Sequence, residues 1–450
     1  MAKSRKRLNI LKYISGRDWG ADATTLRTTY IALVRPILEY GQQIYSSASA
    51  SNLRRLDRVQ QSAGRIITGL RHSCPGEIVL FEADLLPLNM RRETCLMKYF
   101  SKLLSYGAQH RTADYLLHWT NNQRLRRDSP FSRAISLNTV YQDVEQHSLK
   151  TCVDPSRGFP RVHFSPDLAL STNKTSDVPE LLQQLALEII NNIPEEGLCV
   201  YTDGSRDDRN RTGSGVYIKR PDGDINIKMR NPDSCSVFRS ELLAIEAGLH
   251  AIEEDSLLDP IWILTDSRSS IQYLSAWPRV GDRAGTAILQ LLSKLSSKRD
   301  IYLQWIPSHV GLYGNEIADS LAKRGTNEPL PENLALTSSE IHSIRKKGVQ
   351  LVWKTPPVHI WYSGDKPGRA LAFRGNRGDQ TAYTRFTSGH IKCMRYEQQR
   401  KVYPTCNKCF SSAASPAHLL SCVDFEKEDF LRDPVLFFDF LRVNGLMDLV

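Results

Sequence analysis

From Leu198 to Asp319 the chain runs through an ordered series of segments that requires a mixed α/β sheet. Three β-branched and aromatic runs come first, Leu198–Thr202, Gly213–Lys219 and Ile225–Met229. Polar turns join them, and Pro-Asp-Gly at 221–223 is a hairpin signal. A helix is predicted from Val237 to about Glu253, with Phe238, Leu242, Ile245, Leu249 and Ile252 on one face. The next run, Ile261-Trp-Ile-Leu-Thr-Asp266, is almost wholly apolar, so it reads as a central strand covered on both faces. Helices at about 269–277 and 285–297, a strand Ile301–Ile306 and a helix from near Asn315 complete a βββαβαβα order. The expected fold class is a five-stranded mixed sheet with an N-terminal helical region and a small C-terminal region beside it.

Four acids fall at informative places in that order. In Cys199-Val-Tyr-Thr-Asp203-Gly-Ser205 an apolar run ends on a carboxylate, and Asp266 ends the fourth strand in the same way, again after a threonine. Glu241 lies one turn into its helix, and Asp319 lies in the first turns of the last one. Singly, each is a turn residue or an acid suited to a helix start. Together, on one rim of a sheet, they would repel unless a divalent cation neutralised them. Carboxylates without a His or Cys set select Mg²⁺ or Mn²⁺, and two such ions about 3.5–4 Å apart clamp a phosphodiester. His309 sits in a glycine-rich loop ahead of Asp319, where an imidazole can move protons near neutral pH.

These segments resemble a type 1 ribonuclease H. The resemblance is carried by Tyr-Thr-Asp203-Gly-Ser, Ser-Glu241-Leu-Leu-Ala-Ile, Leu-Thr-Asp266-Ser and Trp-Ile-Pro-Ser-His309-Val-Gly-Leu-Tyr-Gly-Asn315-Glu-Ile-Ala-Asp319. It implies that Asp203, Glu241, Asp266 and Asp319 bind two Mg²⁺ ions, that His309 assists product release, and that the substrate is the RNA strand of an RNA–DNA hybrid. The basic protrusion that some members of that family carry is not evident in this sequence.

The net charge of +10 is unevenly placed. Residues 1–150 hold 23 Lys and Arg against 12 Asp and Glu, residues 151–330 hold 19 against 25, and residues 331–450 hold 17 against 12. An acidic middle between basic flanks suits a metal-dependent centre whose polyanionic partner is gripped by its neighbours. Residues 1–115 read as helical: one helix from Thr25 to about Ser46 interrupted at Pro36, one capped by Ser51, and one from about Asn89 to Tyr106. The second carries Arg54, Arg55, Arg58 and Arg65 off its apolar side, either a track for phosphates or a solvated face. Leu33-Val-Arg-Pro-Ile-Leu-Glu-Tyr-Gly41, Leu56-Asp-Arg-Val-Gln-Gln-Ser-Ala-Gly-Arg65 and Leu86-Pro-Leu88 resemble the end of the reverse-transcriptase region in non-LTR, jockey-like retrotransposon polyproteins. The one Asp-Asp pair, Asp207-Asp208, falls in a polar loop of another domain, so no DNA synthesis is expected.

The expected division is a helical remnant over 1–115, a linker with short helices over 116–195 broken by Pro130, Pro155, Pro160 and Pro166, the nuclease over 196–327, and a C-terminal region over 328–450. The last contains Cys406-x2-Cys409-x8-His418-x3-Cys422, a set with the count and softness for one tetrahedral Zn²⁺; scattered core cysteines are the alternative. It too resembles the tail of those polyproteins. The other six cysteines read as small buried residues of an intracellular chain. No run is long and apolar enough for a membrane span, and no apolar stretch follows the basic start to make a secretory signal. The expected partner is nucleic acid, not a small molecule or a membrane. The leading expectation is a hybrid-cleaving endoribonuclease, and its rival is a silent nucleic-acid-binding remnant or scaffold.

Overall fold

The computed structural model describes all residues except 1, 17–18, 119–122, 124–128, 138–143, 169–177, 222, 255–258, 331–334, 360, 363 and 398–399. Asp222 of the hairpin signal, Pro331 and parts of the expected linker thus lie outside the described residues. The chain divides into two compact units. One comprises residues 98–127 and 135–344, the other residues 1–97, 128–134 and 345–450.

The first of these is built on a sheet of six strands, not five. They are β1 (Val162–Ser165), β2 (Leu198–Arg206), β3 (Thr212–Lys219), β4 (Ile225–Arg230), β5 (Ile261–Thr265) and β6 (Ile301–Trp305). Their order is β1-β6-β5-β2-β3-β4. The pairs β1–β6, β6–β5 and β5–β2 are parallel, and β2–β3 and β3–β4 are antiparallel. The additional strand, β1, comes from the stretch expected to be a linker. It is four residues long and sits between Pro160 and Pro166, too short for alternation to register. As an edge strand it pairs on one side only, which tolerates flanking prolines. Its Val162 packs with Val153 and Leu168 into the main core. His163, Tyr302 and Trp262 are register partners across β1, β6 and β5, and their rings stack at 4.6 and 4.2 Å.

Each face of the sheet has its own core. Val200, Val216, Ile218, Ile261 and Ile263 meet Leu242, Ile245 and Leu249 of the helix Val237–Ala251, with Ile288 and Leu292 of the helix Arg283–Leu295 behind them. On the other face Tyr201, Tyr217 and Leu264 meet Ala318 and Leu321 of the helix Tyr313–Gly325, and Ala186 of the helix Pro179–Asn191. A second correction concerns β2: the strand does not stop at Asp203 but pairs with β3 through Arg206.

The other unit joins the chain's two flanks, which the sequence reading treats as separate regions. Leu26, Tyr30, Val34, Val59, Ala63 and Ile67 form one apolar cluster, with Trp353 and Leu371 packed against it. The helix Ala50–Thr68 starts one residue ahead of the expected cap, after Ser49. Its last carbonyls are satisfied from far along the chain: Arg377 donates to Ile67 O at 2.6 Å, Thr384 to Thr68 O at 2.5 Å, and Arg385 to Gly69 O at 3.1 Å. The regular α pattern is interrupted just ahead of Pro36, but the helix runs on to Glu39 and stops before Gly41, φ 71°, short of the expected Ser46. Residues Tyr30–Val34 widen into a π turn, with the N–H of Arg35 donating to Tyr30 O, and the widened turn accommodates the proline ring.

Candidate active site

Thr202 and Thr265 are register partners on the adjacent parallel strands β2 and β5, so Asp203 and Asp266 follow side by side. Adjacent strands run about 4.8 Å apart, within the span of a shared cation. Gly204 lies against the first turn of the Glu241 helix: a Cβ there would fall 2.6 Å from Glu241 N. Gly215, the partner of Asp203 on β3, does the same for the Asp319 helix, since its Cβ would fall 2.2 Å from Ala318 O. Two glycines therefore let two helices approach the sheet at the position of Asp203.

Asp203, Glu241 and Asp266 each offer an oxygen, and these three atoms lie within 4.8 Å of one another. Asp203 and Glu241 are buried, each 6 % exposed, and Asp266 is half-buried. The Gly204 N–H donates to Asp203 Oδ1 at 2.8 Å. Burial, and then the charges of Asp266 and Asp319, push the Asp203 carboxyl up to about 7. Burial, with Asp203 and Asp266, pushes Glu241 well above the carboxylate range. Glu241 Oε2 is buried without a hydrogen-bond partner. Desolvated acids crowded in this way, with one oxygen unpartnered, form the kind of oxygen-only donor set that hard divalent cations take.

Asp319 stands just outside this triad. Its Oδ2 lies 2.6 Å from Lys323 Nζ, one helical turn on, while its charge is still felt at Asp203. His309 lies on the turn after β6, exposed and with φ at 57°, and it is not grouped with the acids. Lys323 was not among the residues singled out from sequence; its i,i+4 spacing from Asp319 is the signal that could have found it. Asn231 and Ser214 gave no such signal. Asn231 Nδ2 donates to Ser214 Oγ at 2.8 Å, and Ser214 Oγ donates to Ser240 O at 2.6 Å, next to Glu241.

In the other unit, Cys406, Cys409, His418 and Cys422 also come together, each offering an atom within 4.8 Å of the rest. Cys406 Sγ and Cys422 Sγ are 3.8 Å apart, and Cys409 Sγ is 3.3 Å from His418 Nε2. Ser415 caps the helix Pro416–Cys422 by accepting from the N–H of His418, which fixes where that ring starts. Hydrogen bonds from Ser411 hold the Cys409 thiol down at about 6, whereas burial and Cys406 push Cys422 up to about 11. His390 lies apart from this set, fully buried, with Nδ1 3.3 Å from Ser73 Oγ.

The sequence model of the RNase H family matches residues 195–327. Over 144 residues the chain is 31% identical to a Ribonuclease H of Jannaschia sp. (strain CCS1), covering 28% of this chain and 90% of that protein. Over 135 residues it is 29% identical to the Pol polyprotein of Equine infectious anemia virus (strain Wyoming), covering 29% of this chain and 10% of the polyprotein. Among the described residues no helix is long and apolar enough to cross a membrane. Residues 195–327, which carry Asp203, Glu241, Asp266 and Asp319, make this chain a member of the ribonuclease H family.

Proposed function

We propose that the chain is an endoribonuclease that hydrolyses the RNA strand of RNA–DNA hybrids. Asp203, Glu241, Asp266 and Asp319 would hold two Mg²⁺ or Mn²⁺ ions. The observation that carries this reading is the convergence of three acid oxygens within 4.8 Å, with Glu241 Oε2 buried and unpartnered. Bound there, the ions would supply an activated water and charge stabilisation at the leaving oxygen. The protein's own part is positional. Strands β2 and β5 fix two carboxylates in register, two glycine contacts dock the helices bearing the others, and Lys323 holds Asp319 until a cation competes for it. His309, exposed on its turn, would assist product release, the role the family resemblance implies.

The test is cleavage of a labelled RNA–DNA hybrid in Mg²⁺, run beside single-stranded RNA and double-stranded DNA. Selective cutting of the RNA strand of the hybrid is expected. The rival reading, a silent nucleic-acid-binding remnant, is favoured by the Asp319–Lys323 ion pair, which occupies the fourth carboxylate. Absence of hybrid cleavage with retained hybrid binding would decide for it.

We also infer a retrotransposon origin, from the resemblance of residues 33–88 to the end of a reverse-transcriptase region. No polymerase activity is assigned, because Asp207-Asp208 sits in the loop after β2, with Asp207 paired to Arg211 at 2.6 Å. For the Cys₃His set we propose one structural Zn²⁺. Two sulfurs at tetrahedral corners about 2.3 Å from one ion lie roughly 3.8 Å apart, and the Cys406–Cys422 separation is 3.8 Å.

A further inference from the structure

The first turn of the Glu241 helix is held from outside as well as from the sheet. Arg239 is two residues before Glu241, hence about 200° around the helix axis, and it faces away from the acids. Its guanidinium pairs with Glu145 and, at 3.1 Å, with Glu340, and it donates to Ala335 O at 3.0 Å. Arg239, Glu145 and Glu340 are all buried. Glu340 also accepts from Ser236 N at 2.8 Å, Ser236 Oγ at 3.0 Å and Thr337 N at 2.9 Å, so it grips the residue that caps the Glu241 helix. Glu145 accepts from the N–H of Arg283, the first residue of the neighbouring helix, at 3.1 Å. Although burial opposes it, the Ser236 N–H and Arg239 hold Glu340 below its usual range, whereas burial keeps Glu145 above its own.

Both acids lie outside residues 195–327, the part that matches the family. Buried ion networks of this kind contribute little net stability compared with apolar packing, while their loss of one partner is costly. A network that grips one turn of one helix from both flanking segments restricts where that turn can sit. That turn leads into Glu241, as buried as Asp203, and the distance of its carboxylate to Asp203 and Asp266 depends on helix placement to a fraction of an ångström.

We propose that Arg239 is a positioning residue for Glu241, and that Glu145 and Glu340, supplied by the segments flanking the family domain, set the divalent-cation affinity of the acidic cluster. This rests on the reading of that cluster as a cation site.

The test uses the full chain and titrates Mg²⁺ by calorimetry without nucleic acid, alongside hybrid cleavage against Mg²⁺ and thermal unfolding. The variants are Arg239→Lys, which keeps the charge but loses the fork, Glu340→Gln, and the triple Arg239→Met/Glu145→Gln/Glu340→Gln, which removes all three buried charges. Each is expected to need roughly tenfold more Mg²⁺ for half-saturation, with lost cleavage largely recovered at high Mg²⁺. The triple variant should regain most of the wild-type melting temperature, since no buried charge is left uncompensated, yet keep the weakened Mg²⁺ binding. A merely structural role would move melting and leave the Mg²⁺ midpoint where it is, so a triple variant that binds Mg²⁺ like wild type overturns the proposal. Failure of the wild-type chain itself to bind Mg²⁺ is a separate result, and it would remove the cation-site reading together with this one.

Discussion

Gly204 and Glu241 touch through backbone: nothing larger than hydrogen fits on the Gly204 Cα, because a Cβ there would sit 2.6 Å from Glu241 N. The strand that carries one acid and the helix that carries another are thereby fixed to each other without an intervening side chain. Gly204→Ala must displace the helix. Forcing a methyl into such a contact costs about 1–3 kcal/mol, and cleavage should fall with it because Glu241 moves away from Asp203. Urea unfolding and hybrid cleavage measure the two effects; an alanine variant with wild-type stability and rate would show that the contact does not set the site.

Asp266→Asn keeps the shape of the half-buried side chain and removes one of the charges that raise Asp203 and Glu241. Cleavage is expected to fall at least roughly a hundredfold, the scale seen when one electrostatic group is removed from an active site. In chelator the variant should melt at or above the wild-type temperature, because one repulsion is gone. Full activity in this variant would sink the carboxylate assignment.

Much of the site could be read directly in the chain, because its parts are local. Thr-Asp at the end of an apolar run places Asp203, and the same signature places Asp266 on the neighbouring parallel strand, with Thr202 and Thr265 in register. The parts that escaped are non-local. Strand β1 has only four residues and pairs with a strand more than a hundred residues away. The Arg239 network joins residues 94 and 101 positions apart, each of which alone looks like a solvated charge. Nothing around Gly213 and Gly215 except their place inside a strand hinted that a helix would lie directly on them.

The unit formed by the two flanks holds two buried groups whose titrations oppose each other. Burial lifts Glu82, whose partner is the Tyr362 hydroxyl at 2.7 Å, from 4.5 to about 7. The folded state therefore keeps that proton more tightly, and the stability tied to it is lost as pH rises from 4.5 through 7. Burial, with the nearby Lys401, drops His390 from 6.5 to about 4. The folded state resists that proton, so stability is lost as pH falls from 6.5 toward 4. Each shift is worth on the order of 3 kcal/mol, and where the two windows overlap, from pH 4.5 to 6.5, the slopes oppose each other. Glu82→Gln should remove one of them, so that the unfolding temperature of this unit, read by calorimetry between pH 5 and 6.5, climbs with pH more steeply than in wild type; an unchanged slope would show that Glu82 does not carry this dependence.

Protein purified without chelator should carry one zinc per chain, and Cys409→Ser should lose it. Hydrogen exchange is expected to speed up around residues 404–423, while hybrid cleavage in Mg²⁺ is retained, because the Cys₃His set belongs to the other unit. Metal analysis that finds no zinc in the wild-type chain counts against the assignment.

Of the four arginines on the helix Ala50–Thr68, Arg54, Arg55 and Arg58 are exposed, whereas Arg65 is committed to Cys74 O at 3.2 Å. If the helix follows a phosphate backbone, three contacts are available instead of four. Replacing all three by glutamine should then reduce the slope of log affinity for hybrid against log salt by roughly 2–3. Binding measured in Ca²⁺ at several salt concentrations gives the slope; equal slopes for wild type and variant would identify a solvated face.

The carbonyls of Ile67, Thr68 and Gly69 wait for Arg377, Thr384 and Arg385, which are more than 300 residues further along. On the ribosome this imposes an order. At about 5–20 residues per second, the helix Ala50–Thr68 emerges on the order of tens of seconds before the side chains that finish its C-terminus. In that interval the whole of residues 135–344 is synthesised and can close around its own sheet. Residues 135–344 are thus complete while the cluster of Val59, Ala63 and Ile67 still lacks Trp353 and Leu371, so that cluster closes only after the middle has been made.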